Sequence, residues 1–360
     1  MAIQTLDDEK KDSAFWSPCL LVVPLPAGCP NARAGQRGSS ISFRVYVSAA
    51  RPASLLKLET DWGQLVKEKL GEEYQPGVLS FPGPDGTIVE LEISARARGN
   101  TRKEVCQFPP LKIKPAKKQL HELGLDPSSK LKLVLPCQNG KSNSEYLLKE
   151  ALAYQLFAAI YPIHHRTKLV ELEGWQNNKE KYSFYAFLVE EEKEFAARVN
   201  GKRVKQEKIN TIDLERDSYV KMCFFQYMIA NTDWSAPNGH NLELLKLPGK
   251  EKMVPIPYDF DYAGFVDTDY AIPRSSVPIE NVTQRFFLGK YVTEEEALEC
   301  ARFYLSKKEQ LLQICRSFDL LRDKSQDQIQ EFLSGFFDTL ADEEAVRQTF
   351  VTMRRRPNQD

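Results

Sequence analysis

The residues best suited to chemistry lie in the stretch 231–262. It reads Asn231-Thr232-Asp233-Trp234, then Gly239-His240-Asn241 and, after a hairpin-like interval, Tyr258-Asp259-Phe260-Asp261-Tyr262. Phosphoryl transfer from a nucleotide needs a carboxylate beside the acceptor hydroxyl and oxygen ligands for Mg²⁺ near the phosphates. An Asp on a loop, an Asn a few residues on and an Asp after the next hairpin supply those parts. Asp and Asn also serve as ordinary turn and cap residues. Here Asp233 and Asp259 are flanked by Trp234, Tyr258, Phe260 and Tyr262. A carboxylate in apolar surroundings needs a partner, and a metal would provide one.

The elements that must hold these residues are visible in the pattern. Residues 42–47 alternate as a strand, 55–62 form another, and Gly83-Pro84-Asp85-Gly86 is a turn before a strand at 88–94. Arg98-Gly99-Asn100-Thr101 reads as a tight turn, and 111–114 and 131–135 as short alternating strands. The pattern changes near Ser144. Residues 146–160 carry apolar side chains at helical spacing, with Pro162 just beyond. Strands follow at 168–172 and 182–189, with Asn177-Asn178 in the turn, then a charged, solvated connection over 190–208. A buried helix over 213–230 ends just before Asp233. Short strands at 241–247 and 253–257 place Asn241 and Asp259 at element ends. Thr293 and Glu296 form a capping-box pattern ahead of a helix at 297–315, and shorter helices cover 326–340 and 342–353.

A length of 360 residues suits about two domains or two joined lobes. Lys plus Arg number 49 against 50 Asp plus Glu, so the net charge of -1 argues against a dedicated nucleic-acid binder. No run approaches the roughly 20 apolar residues of a membrane-spanning helix. Seven cysteines without a C-x-x-C pair, and only four histidines, argue against a structural zinc site. Residues 1–40 read as a disordered leader or a weak export signal. Lys10-Lys11 precede an apolar stretch, but Asp7, Asp8 and Glu9 occupy the region that should be basic, and Pro18, Pro24 and Pro26 interrupt the apolar run. Cytoplasmic and cell-envelope locations are both compatible with that segment.

Protein kinases place an Asp, an Asn and an Asp-Phe-Gly in this order, and here Asp259-Phe260 would stand for the Asp-Phe pair with Asp261 where kinases have Gly. More closely, Asn-Thr-Asp, Gly-His-Asn and Tyr-Asp-Phe-Asp-Tyr resemble the signature of the spore-coat CotH-type atypical protein kinases, in a divergent bacterial branch. Arg98-Gly99-Asn100-Thr101 is similar to that family's Arg-Gly-Asn-Ser segment, and Pro110-Leu111-Lys112-Ile113-Lys114 to the basic strand after it. Residues 147–154 are similar to the next helix, and 185–190 to the lobe-connecting strand. These matches keep the family's order over roughly half the chain, 87–265.

The resemblance implies an α+β, two-lobed protein-kinase-like fold. Residues 41–190 would form a β-rich lobe, dominated by an antiparallel sheet with one helix, and 191–360 a mostly helical lobe. It implies ATP with Mg²⁺, or Mn²⁺ in its place, and transfer to Ser or Thr of a protein acceptor, with no nucleic-acid partner. Asp233 would orient the acceptor hydroxyl. Asn241, with Asn238 as the alternative, and Asp259 would hold the metal, with Asp261 as a second ligand or supporting acid. Arg98, Gly99 and Asn100 would lie over the phosphates. Lys112 or Lys114 would reach them, paired with Glu150, and the backbone at Glu190 would meet adenine.

The chain departs from the family at Trp234, where an Arg is common, and at Cys106-Gln107-Phe108-Pro109-Pro110, which replaces a basic, aromatic run. Two alternatives therefore stand beside the kinase. One is a kinase-fold nucleotide-binding protein without turnover. The other is an envelope-associated structural protein whose acidic site binds Ca²⁺. On their own, Lys112 and Lys114 suit the solvent face of an edge strand, and Glu150 a helix surface. Cys106 and Cys137 are either a disulfide or two free thiols. His164-His165 do not suit a shared metal, because adjacent strand residues face opposite ways. Arg354-Arg355-Arg356 reads as a frayed basic tail.

Overall fold

A computed structural model describes residues 54–83, 85–205 and 208–352. The expected leader at 1–40, the strand at 42–47 and the basic tail at 354–356 lie outside the described residues. The described chain begins with β1 (Ser54–Thr60), α1 (Trp62–Lys67), β2 (Gln75–Pro82) and β3 (Ile88–Ala97). It continues through α2 (Thr101–Val105), β4 (Leu111–Pro115), α3 (Lys117–Glu122), β5 (Leu131–Val134) and α4 (Lys141–Ile160). The hairpin of β6 (Thr167–Gln176) and β7 (Lys179–Val189) follows.

The seven strands close into a barrel in the order β1-β2-β3-β4-β5-β7-β6. Every pairing but one is antiparallel, in line with the expected antiparallel sheet, but the parallel pairing of β6 with β1 closes it and leaves no free edge. The expected single helix is corrected to four, with α1, α2 and α3 beside α4. Alternating residues such as Leu58, Leu79, Ile93, Ile113, Leu133 and Leu172 fill the interior and form one hydrophobic core. β2 escaped the pattern because Pro76 and Gly77 interrupt it. Gly77 is required there: a Cβ would stand 2.7 Å from the Glu59 carbonyl oxygen on β1.

The remaining elements are α5 (Glu192–Arg198), β8 (Lys202–Arg203), a 3₁₀ turn at Thr211–Asp213 and α6 (Arg216–Met228). β9 (Leu242–Lys246) and β10 (Val254–Pro257) form a small sheet with β8, in the order β10-β9-β8. The chain ends in α7 (Glu294–Arg316), α8 (Asp323–Ala341) and α9 (Glu343–Phe350). Thr293 and Glu296 form the reciprocal capping box at the start of α7. The solvated connection expected over 190–208 instead holds α5 and β8, and Phe195 buries completely. A second hydrophobic core gathers α4, α6, α7, α8 and α9, with Phe224 stacked on Phe350 at 4.1 Å. α4 is apolar on most sides, so it buries within this second core.

Two connections fix the segment that follows β3. The Arg98 N–H donates to Pro110 O at 2.7 Å, closing the turn, and Gly99 takes a φ of +92° that favours glycine. After one short helix, Cys106 forms a disulfide with Cys137, tying the end of α2 to the segment between β5 and α4. Phe108 N–H also donates to Cys137 O at 3.0 Å. The bridge closes a separation of 31 residues. A Cys106→Ser/Cys137→Ser variant is expected to lose about 3–4 kcal/mol of unfolding free energy. Chemical denaturation checks this, and an unchanged midpoint would contradict it.

Candidate active site

A cavity of about 670 Å³ is lined by both parts of the chain. From the barrel side come the Arg98–Thr101 turn, Arg102 and Lys132, and from α4 come Glu150 and Tyr154. Asp233, Asn238, Asn241, Asp259 and Asp261 enter from the loops around β9 and β10. Val189 and Glu190 close one wall.

The local backbone explains how the acidic residues arrive there. α6 ends at Met228, and Asn231 Oδ1 accepts from the Asp233 N–H at 2.9 Å. Ser235 and His240 bridge a turn that returns the chain to Asn241. Asn241 and Asp259 take φ values of +53° and +64°, a region that Asn and Asp tolerate better than most residues. Phe260 is fully buried against Tyr154 and Phe225, with ring centroids 4.7 and 5.5 Å away. That anchor fixes Asp259 and Asp261 on either side of it. The Tyr154 hydroxyl accepts the Asp259 N–H at 2.9 Å.

Asp233 is held from several directions. Its Oδ1 accepts from Arg274 Nη2 at 2.6 Å and Nε at 3.1 Å, and lies 3.2 Å from His240 Nε2. Asn241 Nδ2 donates to its Oδ2 at 3.0 Å and to its carbonyl oxygen at 2.7 Å. Burial works to raise its pKa, but the bonds from His240 and Arg274 outweigh burial and hold it below the usual range. Asp233 is therefore an ionised, oriented carboxylate. Asn241 is the asparagine in contact with it, whereas Asn238 occupies the exposed turn.

A second cluster is fully buried. Arg102 Nη1 donates to Glu150 Oε2 at 3.1 Å and Nη2 to the Leu135 carbonyl at 3.0 Å, while its Nε stands 3.8 Å from Asp261 Oδ2. Tyr270 donates to Asp261 Oδ2 at 2.9 Å. Burial pushes Glu150 up to about 7 against the pull of Arg102. Asp261 is raised well above the carboxylate range by burial and by Asp259. One guanidinium facing several acids works against ionising all of them together. Asp261 thus faces Tyr270 and Arg102.

Two expectations are corrected. Lys112 and Lys114 do not line the cavity. Leu111 and Ile113 fill the barrel, so the alternation of β4 turns both lysines to its outer face, and Lys114 sits 3.5 Å above the Tyr74 ring. The partner of Glu150 is Arg102, not a β4 lysine, because α2 begins at Thr101 within the turn and brings Arg102 to the cavity. The cation that a strand does supply is Lys132 on β5. It is buried and paired with Glu192. Burial raises the Glu192 pKa, but Lys132 outweighs it and brings the group down to about 2. Sequence reasoning missed Arg102, Lys132, Tyr154, His165 and Arg274. Arg102 adjoins a motif already singled out. Arg274 lies in a long irregular segment that carries no local pattern.

Glu190 accepts from Arg198 through both carboxylate oxygens at 2.7 Å and from the Arg166 N–H at 3.1 Å. Beside it, His165 is buried between Phe195 and Tyr258, with neither ring nitrogen hydrogen-bonded. Burial and the nearby Lys132 push its pKa down to about 3 from the usual 6.5. The folded chain therefore binds fewer protons at this site than the unfolded chain between pH 6.5 and 3. Stability supplied by the neutral ring is complete above 6.5 and falls as the pH drops through that window. Thermal melts of wild type and His165→Phe from pH 7 to 4 are expected to show a shallower acid-side loss in the variant. Parallel curves would contradict that assignment.

No family model matches the chain, and no curated protein does. Among solved structures, the chain is similar to the crystal structure of a Helicobacter pylori proinflammatory kinase, CtkA. The likeness has 10% identity and a TM-score of 0.38, and covers 61% of this chain and 90% of that one. At that level the likeness carries no argument about activity.

Proposed function

We propose that this chain is an ATP- and Mg²⁺-dependent phosphotransferase of the CotH type, acting on Ser or Thr of a protein, with 41–190 and 191–360 as the two lobes around the nucleotide. The observation that carries the reading is the convergence of Asp233, Asn241 and Asp259 in one cavity with Arg98, Lys132 and the Arg98–Thr101 turn. Carboxylates and an amide on one wall and cations with a glycine-bearing turn on another are the arrangement that a metal-bound polyphosphate requires.

Each residue takes a role from its position. Asp233, ionised and held by Arg274 and Asn241, would accept the hydrogen bond of the acceptor hydroxyl and orient it. Asn241 spends its side-chain Nδ2 on Asp233, which leaves its side-chain Oδ1 to be a ligand. With Asp259 it offers few oxygens. Among the described residues no group of three or more His, Cys, Asp or Glu is placed to hold a metal ion. Such a donor set suits Mg²⁺ that completes its shell with water and phosphate oxygens. Bound there, the ion would neutralise charge on the phosphates. It suits Ca²⁺ poorly, since that ion takes six to eight oxygens. Arg98 and Lys132 would take the phosphates in place of Lys112 and Lys114. Arg102 and Glu150 would hold the cavity floor, and the backbone of Val189 and Glu190 would face the base. The Cys106–Cys137 disulfide supports an oxidising compartment, and so the exported alternative.

One observation favours a second reading, a nucleotide-binding protein without turnover. Arg274 occupies the carboxylate that the acceptor needs. Two measurements on the full chain separate the readings. Mg·ATP should raise the melting temperature of wild type and of Asp233→Asn, but not of Asp259→Ala. Radiolabel transfer should fall at least about 100-fold in Asp233→Asn, the scale of a lost general base. A shift without any transfer by wild type supports the second reading. No shift at millimolar Mg·ATP contradicts both.

A further inference from the structure

The two lysines displaced from the cavity lie on a surface with its own electrostatic pattern. Arg96 on β3 stands directly opposite Lys112 on β4, and Lys112 stands directly opposite Lys132 on β5. Residues directly opposite on neighbouring strands share a face, with Cβ atoms about 4.5–5.5 Å apart. Ala95, Ile113 and Leu131 alternate into the barrel, so these three cations form a row on its outer face, with Lys132 buried at the cavity end and Arg96 and Lys112 half-buried. Like charges directly opposite each other repel. The compensation is partial. Arg96 and Lys103 share one exposed carboxylate, Glu72, and Lys132 is paired with Glu192. Among the described residues, no carboxylate lies within ion-pair distance of Lys112, at the centre of the row, or of Arg98, at the cavity rim.

We propose that the outward part of this row, Arg96 and Lys112, is the docking surface for an acidic segment of the polypeptide that accepts the phosphoryl group, a proposal that rests on the phosphotransfer reading. Lys132 and Arg98 line the cavity, while Arg96 and Lys112 continue away from it. An acceptor whose hydroxyl reaches Asp233 can lay neighbouring carboxylates along this row. Their charge adds to the partial compensation that Glu72 alone gives to Arg96, Lys103 and Lys112. An acidic peptide fits better than a nucleic acid. The aromatic ring on this face, Tyr74, is already covered by Lys114, so it offers no stacking platform for bases.

The test is fluorescence anisotropy of the full chain with a labelled octaglutamate peptide, an octaglutamine peptide and a single-stranded oligonucleotide of equal charge. The octaglutamate should bind, weaken steeply with salt, and lose at least tenfold in affinity in Lys112→Glu and several-fold in Lys112→Gln. The glutamine peptide should not bind. Neither variant should alter the melting temperature shift produced by Mg·ATP, since Lys112 lies outside the cavity. Unchanged octaglutamate affinity in both variants would overturn the proposal, as would tighter binding of the oligonucleotide. Lys112-dependent peptide binding with no Mg·ATP shift would support the surface and overturn the phosphotransfer reading alone. A Mg·ATP shift without peptide binding would do the reverse.

Discussion

A guanidinium sealed from water must be met by hydrogen-bond acceptors and negative charge, and that requirement at Arg102 organises the molecule around its cavity. The charge is carried by the second residue of α2, directly after the Arg98–Thr101 turn. Its partners come from distant parts of the chain: Glu150 on α4, the Leu135 carbonyl after β5, and Asp261 beyond β10. Breaking a buried pair by removing one partner strands the other and typically costs about 3–5 kcal/mol. The barrel, the central helix and the acidic loop are thereby held to a common point. The disulfide at Cys106 fastens the same short helix from its other end.

Around that point the charges are divided. The acids outnumber Arg102 at its own site, so Glu150 and Asp261 are both pushed toward the protonated form by burial. Asp233 escapes this fate because Arg274 and His240 reach it. Carboxylates of one cavity are thus shifted in opposite directions, Glu150 and Asp261 up and Asp233 down. The near-zero net charge of the chain averages over this separation and over the cation row on the barrel.

Much of this was legible in the residues. The order Asp233, Asn241, Asp259 brought together the acidic wall, and Arg98, Gly99, Asn100, Glu150 and Glu190 all reach the same cavity. The helices 146–160, 213–230 and 297–315 were visible because apolar spacing over several turns is a strong signal. What failed depends on long-range geometry. Barrel closure rests on the parallel pairing of β1 with β6, which no local pattern encodes. The choice between β4 and β5 for the lysine that lines the cavity depends on how the barrel is turned against it. Lys112 and Lys132 share the outer face of the barrel, and only Lys132 lies where the cavity meets it. Arg274 arrives from 41 residues beyond Asp233, through a segment with neither periodicity nor motif.

The central claim is that the cavity between these acids and cations holds a metal-bound nucleotide. A crystal structure of the full chain grown with Mg²⁺ and a non-hydrolysable ATP analogue tests it most directly. The account predicts density for the triphosphate between the Arg98–Thr101 turn and Asp259, with the ion ligated by Asp259 and Asn241 and the base against Val189 and Glu190. An analogue bound elsewhere, or a cavity in which Asp259 touches neither ion nor phosphate at saturating ligand, would contradict it.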